Sequence, residues 1–368
     1  MIPLDIFIDE DISRASTLPA TVYRDQEIYL SIVELLQRTW QLVTDTSQVG
    51  VPGQVFPFVF LEGSVNEPLL LTRDESDNIN CLSNVCTHRG MILVEHSAIE
   101  KALRCRYHGR RFDLNGRFQF MPEFEMVKNF PSETDNLPRI PFKLWKQFIC
   151  VSATRTPLYS FDTLINEMDR RVGWLPIEDF TFNSSRSHEY SVNANWAFYI
   201  DNYLEGFHIP YVHSSLSETL EYGSYTTELF EISSLQLGIA KAGELAFELP
   251  KSSPDHGKEV AAYYFWLFPN LMFNFYPWGL SINVVRPMSH NRTKVAFLTY
   301  VWKPELIDYG AGAGLDRVER EDEAIVESVQ KGVQSRFYSR GRYSVQRETG
   351  VHHFHSLLGK FLKDGAGE

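Results

Sequence analysis

Cysteine is scarce in this sequence, with only Cys81, Cys86, Cys105 and Cys150 among 368 residues. A disulfide-stapled secreted scaffold needs a denser supply, and the sparse usage fits a reducing cytoplasm. Runs of Lys and Arg are absent. The 47 acids against 35 bases give a formal charge of −12, the reverse of the balance that nucleic-acid binding favours. Long apolar runs are missing too. The most apolar stretch, Ala261 to Val285, is interrupted by Pro269, Asn270, Asn274, Pro277 and Gly279, so it predicts core strands joined by a turn and not a membrane span. The opening MIPLDIFIDEDISRAST has neither a basic n-region nor a continuous apolar h-region, so no signal peptide is expected. No G-x-G-x-x-G stands between a strand and a helix, and no plant-type C-x4-C-x2-C occurs, so nicotinamide oxidation is expected of a separate protein. Aromatic residues, by contrast, are plentiful at 14%, enough for a large core or an aromatic-lined pocket.

The texture changes along the chain. Residues 24–42 place Tyr29, Ile32, Leu35, Leu36 and Trp40 at helical spacing and predict one amphipathic helix. From about 50 to 155, short β-like runs such as VFPFVFL, PLLLTR and NINCLSNV alternate with turns, as in a small all-β domain. Within it, Phe130 to Pro141 is polar and proline-containing and predicts a surface loop. Beyond residue 160, helices and strands mix, ending in a helix over about Glu319 to Tyr338 with Asp322, Ile325, Val326, Val329 and Val333 on one face. The expected class is α+β, with an N-terminal helical segment (1–42) packing on the last domain, an all-β domain (43–155) and a helix-flanked antiparallel-sheet domain (156–368).

Two constellations carry chemistry. Cys86, His88, Cys105 and His108 form the pattern C-x-H-x16-C-x2-H, with Gly90 and Gly109 following. Two thiolates and two imidazoles on two loops can close a four-donor metal site, and the glycines allow tight turns. A Cys2His2 zinc site uses the same donors, but zinc fingers put both cysteines in one knuckle. Here each loop supplies one Cys and one His, which matches a Rieske cluster, where cysteines hold one iron and histidines the other. Cys81 and Cys150 are expected to be core residues. The second constellation is E-x2-H-x4-H: Glu205, His208 and His213. Two imidazoles and a carboxylate leave positions open for O2 on Fe(II). A regular helix would point the two histidines apart, and Pro210 is expected to break it so that they converge. The third ligand is expected on a distant segment; Asp322 on the last helix is the first candidate and Glu327 its competitor, while Glu321 and Glu323 fall on other faces.

Taken together, CTHRG and CRYHG at 86–109, NWAFYIDNYLEGFHIPYVH at 195–213 and EDEAIVESVQKGVQS at 321–335 resemble the Rieske non-haem iron oxygenases of α-subunit type over nearly the whole chain. The subgroup it resembles most acts on quaternary ammonium compounds. The resemblance implies an all-β Rieske domain with a [2Fe-2S] cluster on Cys86, His88, Cys105 and His108, and a catalytic domain with mononuclear Fe(II) on His208, His213 and Asp322. It further implies that Glu205 bridges a Rieske histidine of a neighbouring subunit to an iron-ligating histidine, within a homotrimer fed by a separate flavin/iron-sulfur reductase or ferredoxin. Asp201 and Asn202 are further catalytic candidates in the same run.

The implied reaction inserts oxygen from O2 into a small substrate. Phe207, Tyr211, Phe275, Tyr276 and Trp278 are candidates for a cation–π cage, and Arg286 for a substrate carboxylate. Two alternatives stand beside this reading. One is a ring-hydroxylating or O-demethylating oxygenase acting on aromatic compounds, and the other a non-catalytic Rieske electron carrier.

Overall fold

The structure is a computed structural model that describes residues 6–364. Helix α1 (Gln26–Gln37) forms where apolar side chains recur at helical spacing, and Tyr29, Ile32, Leu35 and Leu36 are buried as that spacing predicts. It ends short of residue 42, because Gln41–Asp45 is extended and paired with Phe148–Val151. The described chain divides into two compact units, one formed by residues up to Leu35 with those from Tyr159 onward, the other by Leu36–Leu158.

The Leu36–Leu158 unit is all-β apart from short turns. Its strands are β1 (Gln41–Asp45), β2 (Gln54–Phe60), β3 (Glu67–Arg73), β4 (Ile79–Ser83), β5 (Ala98–Ile99), β6 (Leu103–Arg104), β7 (Arg111–Phe112), β8 (Phe118–Phe120), β9 (Phe142–Trp145) and β10 (Phe148–Val151). They form three antiparallel sheets in the orders β1-β10-β9, β4-β3-β2-β5 and β6-β7-β8. Val55, Leu70, Leu82, Leu103, Phe112 and Leu137 pack between the second and third sheets, around Cys86 and Cys105. Burial of these side chains is what fixes the two cysteine loops relative to each other. Cys81 and Cys150 are core residues, their thiols pushed up to about 12 by burial.

The other unit contains α2 (Phe161–Val172), capped where Ser160 accepts from the Thr163 amide, then β11 (Thr181–Phe182), β12 (His188–Val192), α3 (Trp196–Tyr203), α4 (Ile209–Val212) and α5 (Ser214–Thr219). There follow β13 (Thr226–Leu229), β14 (Ser233–Ile239), β15 (Val260–Leu267), β16 (Leu271–Tyr276), β17 (Gly279–Ser289), β18 (Arg292–Val301), α6 (Leu315–Gly332) and α7 (Thr349–Asp364). The strands make one antiparallel sheet, β11-β18-β17-β16-β15-β14-β13, with β12 also on β18. The apolar stretch from Ala261 to Val285 is therefore three successive strands of this sheet, as its breakers predict.

Successive side chains of a strand point to opposite faces, and the register here gathers polar residues on one face. Gln236, Tyr264, Asn274 and Ser281 are direct cross-strand neighbours over four strands. Phe265 lies opposite Phe273 and packs edge-on against Phe275 on the other, apolar face. Helix α6 starts earlier than the pattern predicts, at Leu315, and ends at Gly332. Val326 and Val333 are buried, but Ile325 and Val329 are about two-fifths exposed, 40% and 41%, so the buried face is narrower than the apolar spacing suggests.

Candidate functional site

The two cysteine loops fold by the same rule. In the first, the Cys86 amide donates to the Met91 carbonyl at 2.8 Å and the Gly90 amide to the Cys86 carbonyl at 3.0 Å. In the second, the Cys105 amide donates to the Arg110 carbonyl at 2.8 Å and the Gly109 amide to the Cys105 carbonyl at 3.0 Å. Each turn closes through a glycine with positive φ, +71° at Gly90 and +76° at Gly109, a conformation that a side chain disfavours. The loops thus present Cys86 with His88, and Cys105 with His108, in matched settings.

The thiols of Cys86 and Cys105 face each other, and burial together with that proximity pushes the Cys86 thiol up. The imidazoles of His88 and His108 meet edge to face with centroids 4.7 Å apart. His88 Nδ1 is buried without a hydrogen-bond partner, a costly state for a polar atom unless a metal takes its lone pair. A single tetrahedral zinc would draw all its donors to within about 4 Å of one another. Among the described residues, only His208, His213 and Asp322 bring three such donor atoms within 4.8 Å. Thiols paired with thiols and imidazoles with imidazoles, set apart from each other, suit two irons with a cysteine pair on one and a histidine pair on the other.

The Phe130–Pro141 segment is more than the surface loop its composition predicts. Asp135 uses its carbonyl to accept from Thr87 Oγ1 at 2.9 Å and from Arg110 at 3.1 Å, so one residue braces both cysteine loops. Arg110 is 2% exposed, pairs with the Asp135 carboxylate at 2.6 Å, and lies over the rings of Phe112, Phe118 and Phe130. Desolvation would raise the Asp135 carboxyl, but hydrogen bonds donated by the Ser132 amide and by the Arg110 guanidinium hold it low.

In the larger unit, α3 is capped by Asn195, whose side chain accepts from the Ala197 amide. The helix stops at Tyr203, and α4 is a single turn with Pro210 near its start. His208 and His213 stand at the two ends of that turn. The backbone leaves the helix at His213, with φ −108° and ψ 85°, and not at Pro210, which sits in the first turn where proline is tolerated. His208 Nε2 and His213 Nε2 are 3.2 Å apart, and Asp322 Oδ1 on α6 is 2.9 Å from His213 Nε2 and 3.5 Å from His208 Nε2.

Each imidazole is held from behind by a carboxylate. Glu205 Oε1 lies 2.7 Å from His208 Nδ1, while its other oxygen accepts from the amides of Phe207 and His208. Glu321 Oε2 lies 2.8 Å from His213 Nδ1, and Arg317 donates to Glu321 Oε1. Such carboxylate–histidine contacts place the ring proton on Nδ1 and leave Nε2 free for a metal. Burial works against charge on His213, but Asp322 and Glu321 outweigh it and raise its pKa; the pocket wants a cation at that point. The donor set, two imidazoles and a carboxylate with three sides open, fits Fe(II).

The face expected to exclude Glu321 does not do so, because its longer side chain reaches back over the turn to His213. Glu327 bonds instead to the amide and side chain of Asn193, at 2.9 and 3.0 Å, and takes no part in the triangle. Asp322 forms one wall of a cavity with about 740 Å³ of empty space, part of it open to solvent, bordered by Tyr199, Tyr203, Tyr225, Tyr264 and Tyr276. Asn202 lines this cavity. Asp201 does not; it bonds to His355 Nε2 at 2.8 Å and to the Tyr23 hydroxyl at 3.2 Å, tying α3 to α7.

Of the expected cage residues only Tyr276 borders the cavity. Phe207 and Tyr211 are 40% and 81% exposed, because the α4 turn directs its histidines inward and these residues outward. Phe275 is buried on the opposite face of the sheet through strand alternation. Trp278 stacks behind Tyr276, centroids 5.2 Å apart, and supports the wall without forming it. Arg286 faces Glu189 and is not among the lining residues. The amides Gln236 and Asn274, both in the lining, went unrecognised. Their signal was a lone amide between apolar neighbours within a strand, LQL and MFNFY.

A double loop shaped for a mixed-ligand diiron cluster, joined in one chain to a two-histidine, one-carboxylate triangle in the wall of a cavity, defines an iron-dependent oxygenase of Rieske type. The chain belongs to the ring hydroxylating alpha subunit family, whose catalytic domain it matches over residues 179–364, preceded by a Rieske [2Fe-2S] domain over residues 39–131. It is 30% identical to the chloroplastic choline monooxygenase of Arabidopsis thaliana, covering 96% of this chain and 84% of that one. It is 27% identical to the carnitine monooxygenase oxygenase subunit of Escherichia coli K12, covering 95% of each. A quaternary ammonium Rieske monooxygenase shares the fold at TM-score 0.78 and 21% identity over 95% of this chain and 96% of that one. Naphthalene 1,2-dioxygenase from Rhodococcus shares it at TM-score 0.72 and 16% identity over 94% of each. The cofactors are thus a [2Fe-2S] cluster and a mononuclear iron, and the electrons come from a separate reductase or ferredoxin. The non-catalytic carrier and the zinc module are set aside. No helix among the described residues is long and apolar enough to cross a membrane.

Proposed function

We propose that this chain is the terminal oxygenase of a Rieske system that oxidises a small quaternary ammonium compound. The observation that carries the proposal is the triangle of His208, His213 and Asp322, all within 3.5 Å, set in the wall of a cavity bordered by five tyrosines. Tyrosine faces attract a trimethylammonium group that has shed its water, and the similarity to choline and carnitine oxygenases supports the same substrate class.

In this reading Cys86, His88, Cys105 and His108 hold the cluster, and His208, His213 and Asp322 hold the iron. When bound, the cluster supplies single electrons and the iron supplies the O2 activation that places oxygen on a substrate C–H bond. The protein's part is positional. Glu205 and Glu321 keep the Nδ1 protons of His208 and His213 and so fix both rings. The tyrosine walls orient the substrate cation and exclude water from the reacting carbon. Arg110 and Asp135 hold the two cluster loops in register.

The 2.7 Å contact of Glu205 with His208 Nδ1 supports a role for Glu205 as one half of an electron bridge. We place the other half on the Rieske histidine of a neighbouring subunit in a homotrimer. The Leu36–Leu158 unit is the electron-transfer domain and the remainder the catalytic domain. Sparse cysteines without a disulfide support a cytoplasmic setting.

The test is oxygen uptake by the purified chain with a surrogate reductase, across choline, glycine betaine, carnitine and simple arenes, with formaldehyde assayed in parallel. Coupled uptake with the ammonium compounds is expected, and formaldehyde separates N-methyl loss from hydroxylation elsewhere. Coupled turnover of arenes alone would assign the aromatic alternative instead.

A further inference from the structure

The formal charge of −12 is not spread evenly along the chain. Residues 36–158 hold 14 Lys and Arg against 13 Asp and Glu, so the whole excess of acid lies outside the unit that carries the cysteine loops. Within that unit, the stretch from Lys101 to Arg117 holds six bases, Lys101, Arg104, Arg106, Arg110, Arg111 and Arg117, and one acid, Asp113. Arg110 is buried against Asp135. The other five bases are exposed, and the Asp113 carboxylate is taken up by the amides of Asn115 and Arg117.

The sheet β6-β7-β8 gathers these scattered bases on one face. Leu103 and Phe112 are cross-strand partners that point into the core. Alternation sends their neighbours Arg104 and Arg111, also directly opposite each other, out to solvent. Like charges placed directly opposite destabilise a sheet. Among the described residues no carboxylate pairs with either arginine. Arg111 lies instead over the ring of Phe120, its half-exposed cross-strand neighbour, 5.8 Å from the centroid. The pair costs the fold, and only a negative group from outside offsets it.

The position of the pair says what that group belongs to. Two surface grooves meet at Arg104. One is lined by Leu93, Val94, Arg104, Cys105, Arg106 and Gly109, with Glu100 its one acid. The other is lined by Arg104, Gly109, Arg111 and Phe120. The first groove reaches a cysteine donor of the cluster site, and the proposed exit to a neighbouring subunit runs through a histidine. An electron relay needs a way in as well as a way out. Arginine beside an exposed aromatic ring is, in addition, a common anchor of protein interfaces.

We infer that the outward face of β6-β7-β8, with Arg104, Arg106 and Arg111 around Phe120, is the docking surface for an acidic iron–sulfur electron carrier that reduces this oxygenase. The step transfers one electron from the carrier's reduced centre to the cluster on the Cys105 side, and no bond forms or breaks. The arginines attract and orient the carrier and take no part in the oxygen chemistry. The inference rests on the Rieske oxygenase reading with a separate electron donor and is independent of the substrate.

The experiment is stopped-flow bleaching of the oxidised holoprotein's cluster absorption by a reduced, acidic plant-type [2Fe-2S] ferredoxin. Photoreduced deazariboflavin, a small neutral donor, gives the rate without docking. The wild-type ferredoxin rate is expected to fall about tenfold from low to physiological salt. Arg104→Glu combined with Arg111→Glu should slow it about a hundredfold and leave the deazariboflavin rate unchanged. The same change of charge elsewhere on the unit, Lys143→Glu with Arg155→Glu, should slow it about twofold at most. Arg111→Glu alone gives Arg104 a cross-strand partner. It should therefore melt no lower than the wild type and yet accept electrons from ferredoxin about tenfold more slowly, a combination that a merely structural role does not give. The inference is overturned if the Arg104 and Arg111 changes slow ferredoxin no more than the Lys143 and Arg155 changes. It is equally overturned if they alter the oligomeric state on gel filtration, which would assign the face to a subunit contact. The proposed substrate class is read separately, from oxygen uptake after photoreduction, and stands or falls without the ferredoxin.

Discussion

The two metal centres are built in opposite ways. The cysteine–histidine centre is local: two loops, each closed by the same pair of backbone hydrogen bonds and a positive-φ glycine, carry donors two or three residues apart. The histidine–carboxylate centre is assembled over distance, its imidazoles at the ends of a one-turn helix and its carboxylate more than a hundred residues later on α6. In the first, backbone geometry sets where the donors sit. In the second, helix packing and the carboxylates behind each imidazole set it. The first centre should therefore fail only when a donor or its brace is lost, whereas the second should respond in steps to changes in what surrounds it.

The largest effects come from removing donors, and they should separate the centres cleanly. Cys105→Ser is expected to abolish the visible absorption and low-g EPR signal of the cluster and all reductase-dependent turnover, while mononuclear iron still binds. Asp322→Ala is expected to do the reverse, lowering iron from three per chain to two with the cluster spectrum intact and turnover lost. Iron analysis with EPR on the two purified variants checks both. Loss of both metals in either variant would break the picture of two independently built sites.

The next effects test what stands behind the imidazoles. Glu205→Gln keeps an oxygen that can accept from His208 Nδ1, so iron should be retained; loss of the carboxylate charge is expected to slow cluster oxidation in a single turnover about a hundredfold. An unchanged single-turnover rate would remove Glu205 from the electron path. Glu321→Gln should act on affinity instead, weakening iron binding about tenfold, measured by chelator competition, with single-turnover rates preserved at saturating iron.

How much of this was legible in the sequence follows the same division. The candidate cluster donors stand out in the sequence because their chemistry is carried by spacing alone, C-x-H and C-x2-H, with a glycine to close each turn. His208 and His213 were readable as a pair, but the reason for their convergence was not, since nothing in EGFHIPYVH states that the helix ends at Tyr203 and restarts as a single turn. Glu321 was missed because helical period assigns faces by Cα position, and a long side chain can reach around the turn it sits on. Phe207, Tyr211 and Arg286 were misplaced because aromatic or basic character says what a residue can do and not which way its element turns. The cavity floor of Gln236 and Asn274 is written in the sequence as lone amides between apolar neighbours. Only the cross-strand register puts them side by side. Arg110 and Asp135 were opaque for a similar reason: a polar, proline-containing stretch predicts a loop, and the buried ion pair that pins it is a tertiary fact.

The smallest expected effect is the most discriminating for the second centre. Glu327 and Asp322 are both acids on α6 and both were candidates for the third iron ligand. Spacing on the helix favours Asp322, and packing separates them fully, because Glu327 accepts from the Asn193 amide and side chain while Asp322 sits 2.9 Å from His213 Nε2. Glu327→Gln should therefore leave iron content and oxygen uptake unchanged and lower stability by no more than about 1 kcal/mol, since the amide oxygen can still accept from Asn193. A melting curve and an iron assay on this variant, set beside Asp322→Ala, check the point. If Glu327→Gln lost iron, the donor triangle would have to be redrawn with Glu327 in it, and the one-turn helix between His208 and His213 would no longer be enough to define the site.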